Sequence, residues 1–461
     1  MNISALDENG KAVDWWFAYK LPNLKNPPGK VSTARGNTQG TEYLYCDATS
    51  PLLPRRLSSH TKILESGALF NTLQQLHNAA QQNDPNVGWI FYNDEHTKID
   101  KKSILPDDGN FGHTKGVVAF DLGTDSAFWL LHSWPCFPSI ELVDPPAPNF
   151  GQTFLCITLK DVATLDAIAS VFHAQTQPQI IGMSLPKALD PSQYPNLVRL
   201  SQDEPPAKVP PGADKPSDTT FTSKGGVTFR LFAKSKDWLK PAAETIQEPK
   251  DLYSDLIGPT LKVDLEVETW QDGEPDEDSD LMHTTVDILF IDLKPSLGID
   301  AAWHFTDHDH SKWAVSKDLD LKDETDWVIV ADINRVDSQF ERGGCGVAFQ
   351  NKDLAHSLHS IIDMTPPAAI GKLIATDEEK AQSNEKARDA KRAATIAKAP
   401  KKAAAKGTVT ANAKKASAKK ALAKNTTARK PARKKSIGRK LAIKKTVVRK
   451  PAARKMVRRN A

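Results

Sequence analysis

From about Thr376 to Ala461 the sequence runs on Lys, Ala, Arg, Thr and Pro with few aromatic or large apolar residues, so that stretch cannot bury a core. Whatever folds must lie before it, and the tail is expected to be disordered. Positions 391–461 hold 26 Lys and Arg and no Asp or Glu, which leaves 35 basic against 57 acidic residues in positions 1–390. The overall charge of +4 therefore hides an acidic body of net −22 joined to a cationic tail. Positive charge of a single sign on a flexible chain binds phosphate backbones without reading sequence. Lys401, Lys402, Lys414, Lys415, Arg433, Lys434, Lys435, Arg458 and Arg459 are examples of the residues expected to hold DNA. An anionic membrane surface and a nuclear-type address are the other uses open to such a segment.

The body divides again. Residues 203–218 carry five prolines in 16 positions, which neither a helix nor a strand ladder sustains. The expected organisation is a first lobe over 1–200, a Pro-rich linker or loop over 201–220, a second lobe over 221–375, and the tail over 376–461. In the first lobe, strands are predicted over Gly10–Lys20, Glu42–Cys46, Gly88–Asp94, Val117–Phe120, Phe128–Leu131 and Thr153–Leu159, with a turn at Leu122–Asp125. Leu69, Leu73 and Leu76 recur at helical spacing. A second helix is predicted after Asp161, a fitting N-cap, with Val162, Leu165, Ala169 and Phe172 on one face. In the second lobe the pattern predicts strands over Gly226–Phe232, Leu261–Thr269, Val286–Asp292 and Trp327–Ile333, with helices over Asp251–Leu256 and Asp353–Asp363.

Each lobe also holds a histidine two residues before a lysine, with an aspartate six positions further on: His113, Lys115 and Asp121 in one, His310, Lys312 and Asp318 in the other. On extended backbone, residues two apart share a face, so each pair sets an imidazole beside an ammonium. Imidazole can attack phosphorus or carry a proton near neutral pH, and lysine can hold phosphate oxygens as a point charge. Two such pairs facing one another supply a nucleophile, an acid and two clamps, with no metal or other cofactor required. The run His304, Asp307, His308, Asp309, His310 matches no compact zinc spacing, so no metal is expected. Asp121 and Asp318 read as strand-end or turn residues. The acidic run 271–280 reads as a solvated connection, or as an intramolecular contact for the tail.

Several stretches, taken in order, resemble the deoxyribonuclease II family of the phospholipase D-like superfamily. They are Val13-Asp14-Trp15-Trp16 through Tyr19-Lys20-Leu21-Pro22, Tyr43-Leu44-Tyr45, Phe91-Tyr92-Asn93-Asp94, Gly112-His113-Thr114-Lys115-Gly116-Val117 and Phe128-Trp129-Leu130-Leu131-His132-Ser133. Gly151-Gln152-Thr153-Phe154-Leu155-Cys156, Phe232-Ala233-Lys234, Asp251-Leu252-Tyr253-Ser254, Asp309-His310-Ser311-Lys312-Trp313, Asp332-Ile333-Asn334-Arg335 and Arg342-Gly343-Gly344 continue the match, which spans roughly residues 10–350. The resemblance implies an α/β, phospholipase D-like fold: two pseudo-symmetric mixed-sheet lobes flanked by helices, each giving one His-x-Lys motif.

It further implies a metal-independent endonuclease that cuts double-stranded DNA to 3′-phosphate and 5′-hydroxyl ends through a phosphohistidine. His113, Lys115, His310 and Lys312 carry over as catalytic residues, with His310 taken as indispensable. His132 matches a family histidine and is otherwise a core histidine satisfied by backbone. Asn334 stands where the superfamily places an amide, and Lys234 is either a phosphate clamp or a solvated lysine. A catalytically inactive nucleoid or DNA-binding protein and a lipid phosphodiesterase are the alternative functions.

Met1–Gly10 has neither a basic start nor an apolar run, so it does not read as a secretory signal, and no apolar stretch approaches the ~20 residues that span a bilayer. Cys46, Cys136, Cys156 and Cys345 are too scattered for a disulfide framework, and Ala314 stands where the resemblance calls for a cysteine. Free thiols and a cytoplasmic, nucleoid-associated location are expected. Double-stranded DNA is the expected partner, and a homodimer is allowed.

Overall fold

The computed structural model describes residues 2–25, 34–60, 62–94, 111–137, 149–202, 214–239, 250–270, 277–279, 283–304, 308–317, 319 and 326–364. The basic tail, the core of the Pro-rich segment, most of the acidic run 271–280, Asp307 and Asp318 lie outside the described residues.

Seven strands of the first half are β1 (Trp15–Lys20), β2 (Tyr43–Asp47), β3 (Val87–Tyr92), β4 (Gly116–Asp121), β5 (Ser126–His132), β6 (Gln152–Leu159) and β7 (Ile180–Ser184). They join as a fully antiparallel sheet in the order β2, β1, β6, β5, β4, β3, β7. The central members read as nearly continuous apolar runs because both faces of the sheet are covered. On one face lies α1 (Ala68–Gln82), which places Leu69, Leu73 and Leu76 against Trp16, Val117 and Phe154 as its spacing predicts.

The opposite face, with Phe17, Tyr92, Trp129 and Leu155, shares one core with the inner face of a second sheet, where Trp313, Val315, Val330 and Val347 point. That sheet is built from β8 (Ser217–Thr222), β9 (Thr228–Lys234), β10 (Leu265–Glu268), β11 (Glu277–Ser279), β12 (Thr284–Asp287), β15 (Trp313–Ser316), β16 (Trp327–Ala331) and β17 (Gly344–Gln350), in the order β11, β12, β10, β15, β16, β17, β9, β8. Only the β10–β12 pair is parallel. Three short strands, β13 (Phe290–Asp292), β14 (Ala302–His304) and β18 (Ile362–Asp363), make a small third sheet.

Three helices pack into the shared core. In α2 (Val162–Val171) the Asp161 carboxylate accepts the Thr164 amide at 2.7 Å, as expected of its N-cap. The others are α3 (Pro195–Ser201) and α4 (Lys352–His359), the latter capped by Asn351. Residues Met1–Glu385 cluster as one unit, and among the described residues no helix is long and apolar enough to cross a membrane.

Five expectations are corrected. The helix after Asp251 is a π-helical turn, Tyr253–Ile257, continued by a short helix Gly258–Leu261 that ends where Lys262 turns left-handed (φ 61°). The predicted strand from Leu261 therefore begins only at Leu265. The single strand over Val286–Asp292 is two, β12 and β13, in different sheets, parted where the Ile288 amide donates to the Val267 carbonyl. The closing helix stops at His359, and Ile362–Asp363 joins β13 instead. Within the acidic run, Glu277–Ser279 forms the edge strand β11, held by pairing with β12. All four cysteines are free thiols.

Candidate active site

The two histidine–lysine steps lead into strands of different sheets, β4 and β15. The segment before β4 is held by backbone: the Gly112 amide donates to Gln177 and the His113 amide to the Gly343 carbonyl at 2.8 Å, which ties the first step to the second sheet. Only glycine fits at 112, where a Cβ would collide with the Thr176 carbonyl. Register then selects the neighbour. Tyr92 pairs with Gly116, so Asp94, just past β3, lies beside Lys115.

The second step leaves its own sheet and runs along the entry to β6. The Gly151 amide donates to the His308 carbonyl (2.7 Å), the His310 amide to the Gly151 carbonyl (3.0 Å), and the Lys312 amide to Thr153 Oγ1 (3.1 Å). Asp309 locks this turn from beneath: its buried carboxylate accepts from the Tyr19 hydroxyl, from Trp303 Nε1 at 2.7 Å and from the Ser311 amide at 2.8 Å. A side chain at Gly151 would collide with that carboxylate.

Two further links join the steps to each other. The Ala331 amide donates to the Lys312 carbonyl at 2.9 Å, and the carbonyl of the next residue, Asp332, lies 2.7 Å from His113 Nδ1. A carbonyl only accepts, so Nδ1 carries a proton. His113 Nε2 faces Asp94 Oδ2 at 3.2 Å; Lys115 Nζ lies 2.8 Å from Asp94 Oδ1 and 3.3 Å from both nitrogens of the His113 ring. Arg342 adds a third cation, 3.9 Å from Asp94. The ring of His310 stacks on Phe150, with centroids 4.2 Å apart, and lies 5.1 Å from that of Trp270. Lys312 Nζ donates to the His310 carbonyl at 2.9 Å.

Burial and crowded positive charge set the protonation of these groups. Burial first, and the Lys312 ammonium second, bring His310 down to about 3. Burial first, and Lys115 second, bring Lys312 down to about 7. His113 falls well below the usual histidine range through burial and then Lys115, against the pull of Asp94. Burial opposes ionisation of Asp94, yet Lys115 and then His113 hold its carboxyl well below the usual range. The site thus carries neutral imidazoles among cations.

A stability test follows from His310. Between about 3 and the unfolded value near 6.5, the unfolded chain binds a proton at this position that the folded chain refuses, so His310 subtracts stability as pH falls through that window. The stability of His310→Gln relative to the parent should therefore rise from pH 7 to pH 4, on the order of 3 kcal/mol. Paired denaturant titrations at both pH values measure this difference, and contributions common to both proteins cancel.

The three supporting candidates fall in different places. His132 ends β5, with its amide on the Lys115 carbonyl at 3.3 Å. Its Nδ1 accepts the Trp134 amide at 3.2 Å, so the proton is on Nε2, which is buried and has no hydrogen-bond partner among the described residues. The backbone-satisfied core histidine is thus half right. Asn334 is buried in the loop after β16, with Oδ1 likewise unpaired among the described residues. Lys234 is neither solvated nor turned to a phosphate: its buried ammonium donates to the Phe340 and Arg342 carbonyls at 2.6 and 2.7 Å, which anchors the segment bearing Arg342. Asp121 caps the β4–β5 turn by accepting the Gly123 amide at 2.7 Å, as a turn residue should. His304 belongs to β14, and among the described residues no group of three or more His, Cys, Asp or Glu gathers in a metal-binding arrangement.

Asp94, Arg342 and the Asp332 carbonyl were not anticipated as site groups. Asp94 and Arg342 stand in stretches that carry the family resemblance, but no spacing within one sequence links them to His113. Strand register brings in the first, and a crossing between sheets the second.

Comparison with known proteins extends the match beyond these stretches. The family model described as "Deoxyribonuclease II" matches residues 4–367. A Burkholderia pseudomallei protein named "Putative deoxyribonuclease-2" is 38% identical over 80% of this chain and 94% of its own length. Two Caenorhabditis elegans proteins, "Deoxyribonuclease-2" and "Cell death-related nuclease 6", are 33% and 32% identical over 74% and 78% of this chain, each across 88% of its own length.

Proposed function

This chain belongs to the deoxyribonuclease II family, and on that premise we propose that it is a metal-independent endonuclease that hydrolyses double-stranded DNA to 3′-phosphate and 5′-hydroxyl ends. Hydrolysis of DNA follows from the family. The mechanism rests on one observation: the His113–Lys115 and His310–Lys312 steps, contributed by different sheets, meet on two adjacent residues, with the Ala331 amide on the Lys312 carbonyl and the Asp332 carbonyl against His113 Nδ1. In this reading the two sheets are the lobes of a phospholipase D-like pair, with β4 and β15 as counterparts. One imidazole attacks phosphorus and forms a phosphohistidine. The other protonates the departing 5′ oxygen and then takes a proton from the water that releases the 3′-phosphate. Lys115 and Lys312 hold the non-bridging oxygens, while His132 and Asn334, whose Nε2 and Oδ1 have no hydrogen-bond partner among the described residues, are assigned supporting roles.

Supercoiled plasmid incubated with the protein in excess chelator tests the reading. The expected products are nicked and linear DNA whose 5′ ends accept a phosphate from polynucleotide kinase directly, and whose 3′ ends prime a polymerase only after phosphatase treatment. Retardation without cleavage would point to a DNA-binding protein that has lost its activity.

The tail, residues 391–461, is assigned to DNA capture. An acidic body repels a polyanion at long range, and a tethered polycation raises the local DNA concentration at the site. Deleting these residues should weaken DNA affinity by roughly tenfold or more at physiological salt and flatten its salt dependence, with turnover at saturating DNA kept. Affinity measured across a salt series, together with kcat, checks this; equal loss of kcat would contradict a pure tether.

A further inference from the structure

The two imidazoles are placed differently. Both ring nitrogens of His113 meet oxygen acceptors: the Asp332 carbonyl, 2.7 Å from Nδ1, and the Asp94 carboxylate, 3.2 Å from Nε2. The second contact is an ion-pair approach, and a ring protonated on both nitrogens sets its positive charge beside that carboxylate, whereas a neutral ring leaves the carboxylate facing an uncharged nitrogen. His310 has the opposite setting. Phe150 stacks on its ring and Trp270 lies tilted 5.1 Å from it, no carboxylate contacts the ring among the described residues, and the ammonium groups of Lys312 and Lys115 disfavour a cation there. An imidazole so placed keeps a lone pair.

Resting on the two-histidine reading above, we propose that Asp94 holds a proton on Nε2 of His113, so that His113 protonates the leaving oxygen while His310 attacks phosphorus. Asp94 is a positioning residue, acting through His113. Its own charge is secured by Lys115 at 2.8 Å and Arg342 at 3.9 Å.

In the first step the His310 lone pair forms an N–P bond, the P–O5′ bond breaks, and the Nε2 proton of His113 passes to O5′. In the second, neutral His113 takes a proton from water as its oxygen bonds to phosphorus, and the N–P electron pair returns to His310. Burial and the Lys115 ammonium, 3.3 Å from the ring nitrogens, oppose a cation on His113, as does Lys312. A bound phosphodiester brings the negative charge that offsets both lysines, so the proton is taken up with the substrate.

Leaving-group dependence tests the assignment in the full-length protein. The p-nitrophenyl ester of thymidine 3′-phosphate releases a phenolate that needs no proton, whereas O5′ of DNA does. Asp94→Asn, which preserves shape, and His113→Ala should each lower plasmid cleavage by roughly 10²- to 10⁴-fold yet keep the first-turnover burst of nitrophenolate within roughly tenfold of the parent. In His113→Ala the nucleotidyl adduct should also accumulate on His310, seen by peptide mass. His310→Ala should lose both cleavage and burst.

A burst lost in His113→Ala but kept in His310→Ala would reverse the roles, and plasmid cleavage at the parental rate in Asp94→Asn would remove Asp94 from the scheme. No burst and no adduct in the parent protein would overturn the two-histidine reading itself, and the proposal with it. Asp94→Glu, which retains the carboxylate, is expected to recover part of the cleavage lost in Asp94→Asn, which a merely packing role for Asp94 does not predict.

Discussion

His310→Ala and His113→Ala are each expected to reduce plasmid cleavage by on the order of 10³-fold or more while DNA is still retained on a filter or in a gel. The size of the effect reflects how little else in the site can substitute. Lys312 Nζ is engaged with the His310 carbonyl. Lys115 is paired with Asp94. Among the described residues His132 is the other imidazole held beside Lys115, but Phe137 and Phe154 enclose its ring and its Nδ1 is used by the Trp134 amide. Retention should survive because the proposed capture segment lies in the tail. The double variant should be little worse than either single one, since both imidazoles serve a single reaction coordinate. Measurable cleavage at more than a few per cent of the parental rate in either variant would remove that histidine from the chemistry.

How much of this was legible before the fold was known depended on whether the signal was local. The β4–β5 hairpin was read from its apolar runs and the turn at Leu122–Asp125, and α1 and α2 from helical spacing and the Asp161 cap, because each is fixed by neighbours in sequence. The break between β12 and β13 was not. Val286–Asp292 is a continuous β-forming run, and only the sheets that receive its two halves divide it. β17 was missed because Gly344-Cys345-Gly346 has poor strand propensity, yet it is central in its sheet, paired to β16 and β9. The same divide runs through the site. His113, Lys115, His310 and Lys312 announce themselves by a two-residue spacing repeated in each half. Asp94 and Arg342 reach His113 only through register and a crossing of sheets, and nothing in Phe232-Ala233-Lys234 reveals the two carbonyls that meet the Lys234 ammonium, so the sequence leaves that lysine open between a phosphate clamp and a solvated side chain.

Arg335→Met is expected to destabilise the folded body by about 3–5 kcal/mol, lowering the unfolding temperature by on the order of 10 °C. The Arg335 side chain is buried, with Nη1 2.6 Å from Asp287 and Nε 3.2 Å from Asp251, and both carboxylates are themselves buried. Methionine keeps much of the length of the side chain but none of its charge. Its cost is then less a lost attraction than two carboxylates left without their cation in a site that excludes water. The damage should also reach function. The Arg335 amide donates to Thr269 Oγ1 at 3.1 Å and the Tyr253 hydroxyl to the Ile333 carbonyl at 2.9 Å, so one network holds the loop whose first residue, Asp332, offers its carbonyl to His113. Replacing the two carboxylates as well, in Asp251→Asn with Asp287→Asn and Arg335→Met, should recover much of the stability, because the two carboxylates that meet the guanidinium among the described residues then carry no charge. Denaturant unfolding of the single and triple variants separates the cases: a triple variant no more stable than Arg335→Met would mean that packing of the guanidinium, and not its charge, holds the loop.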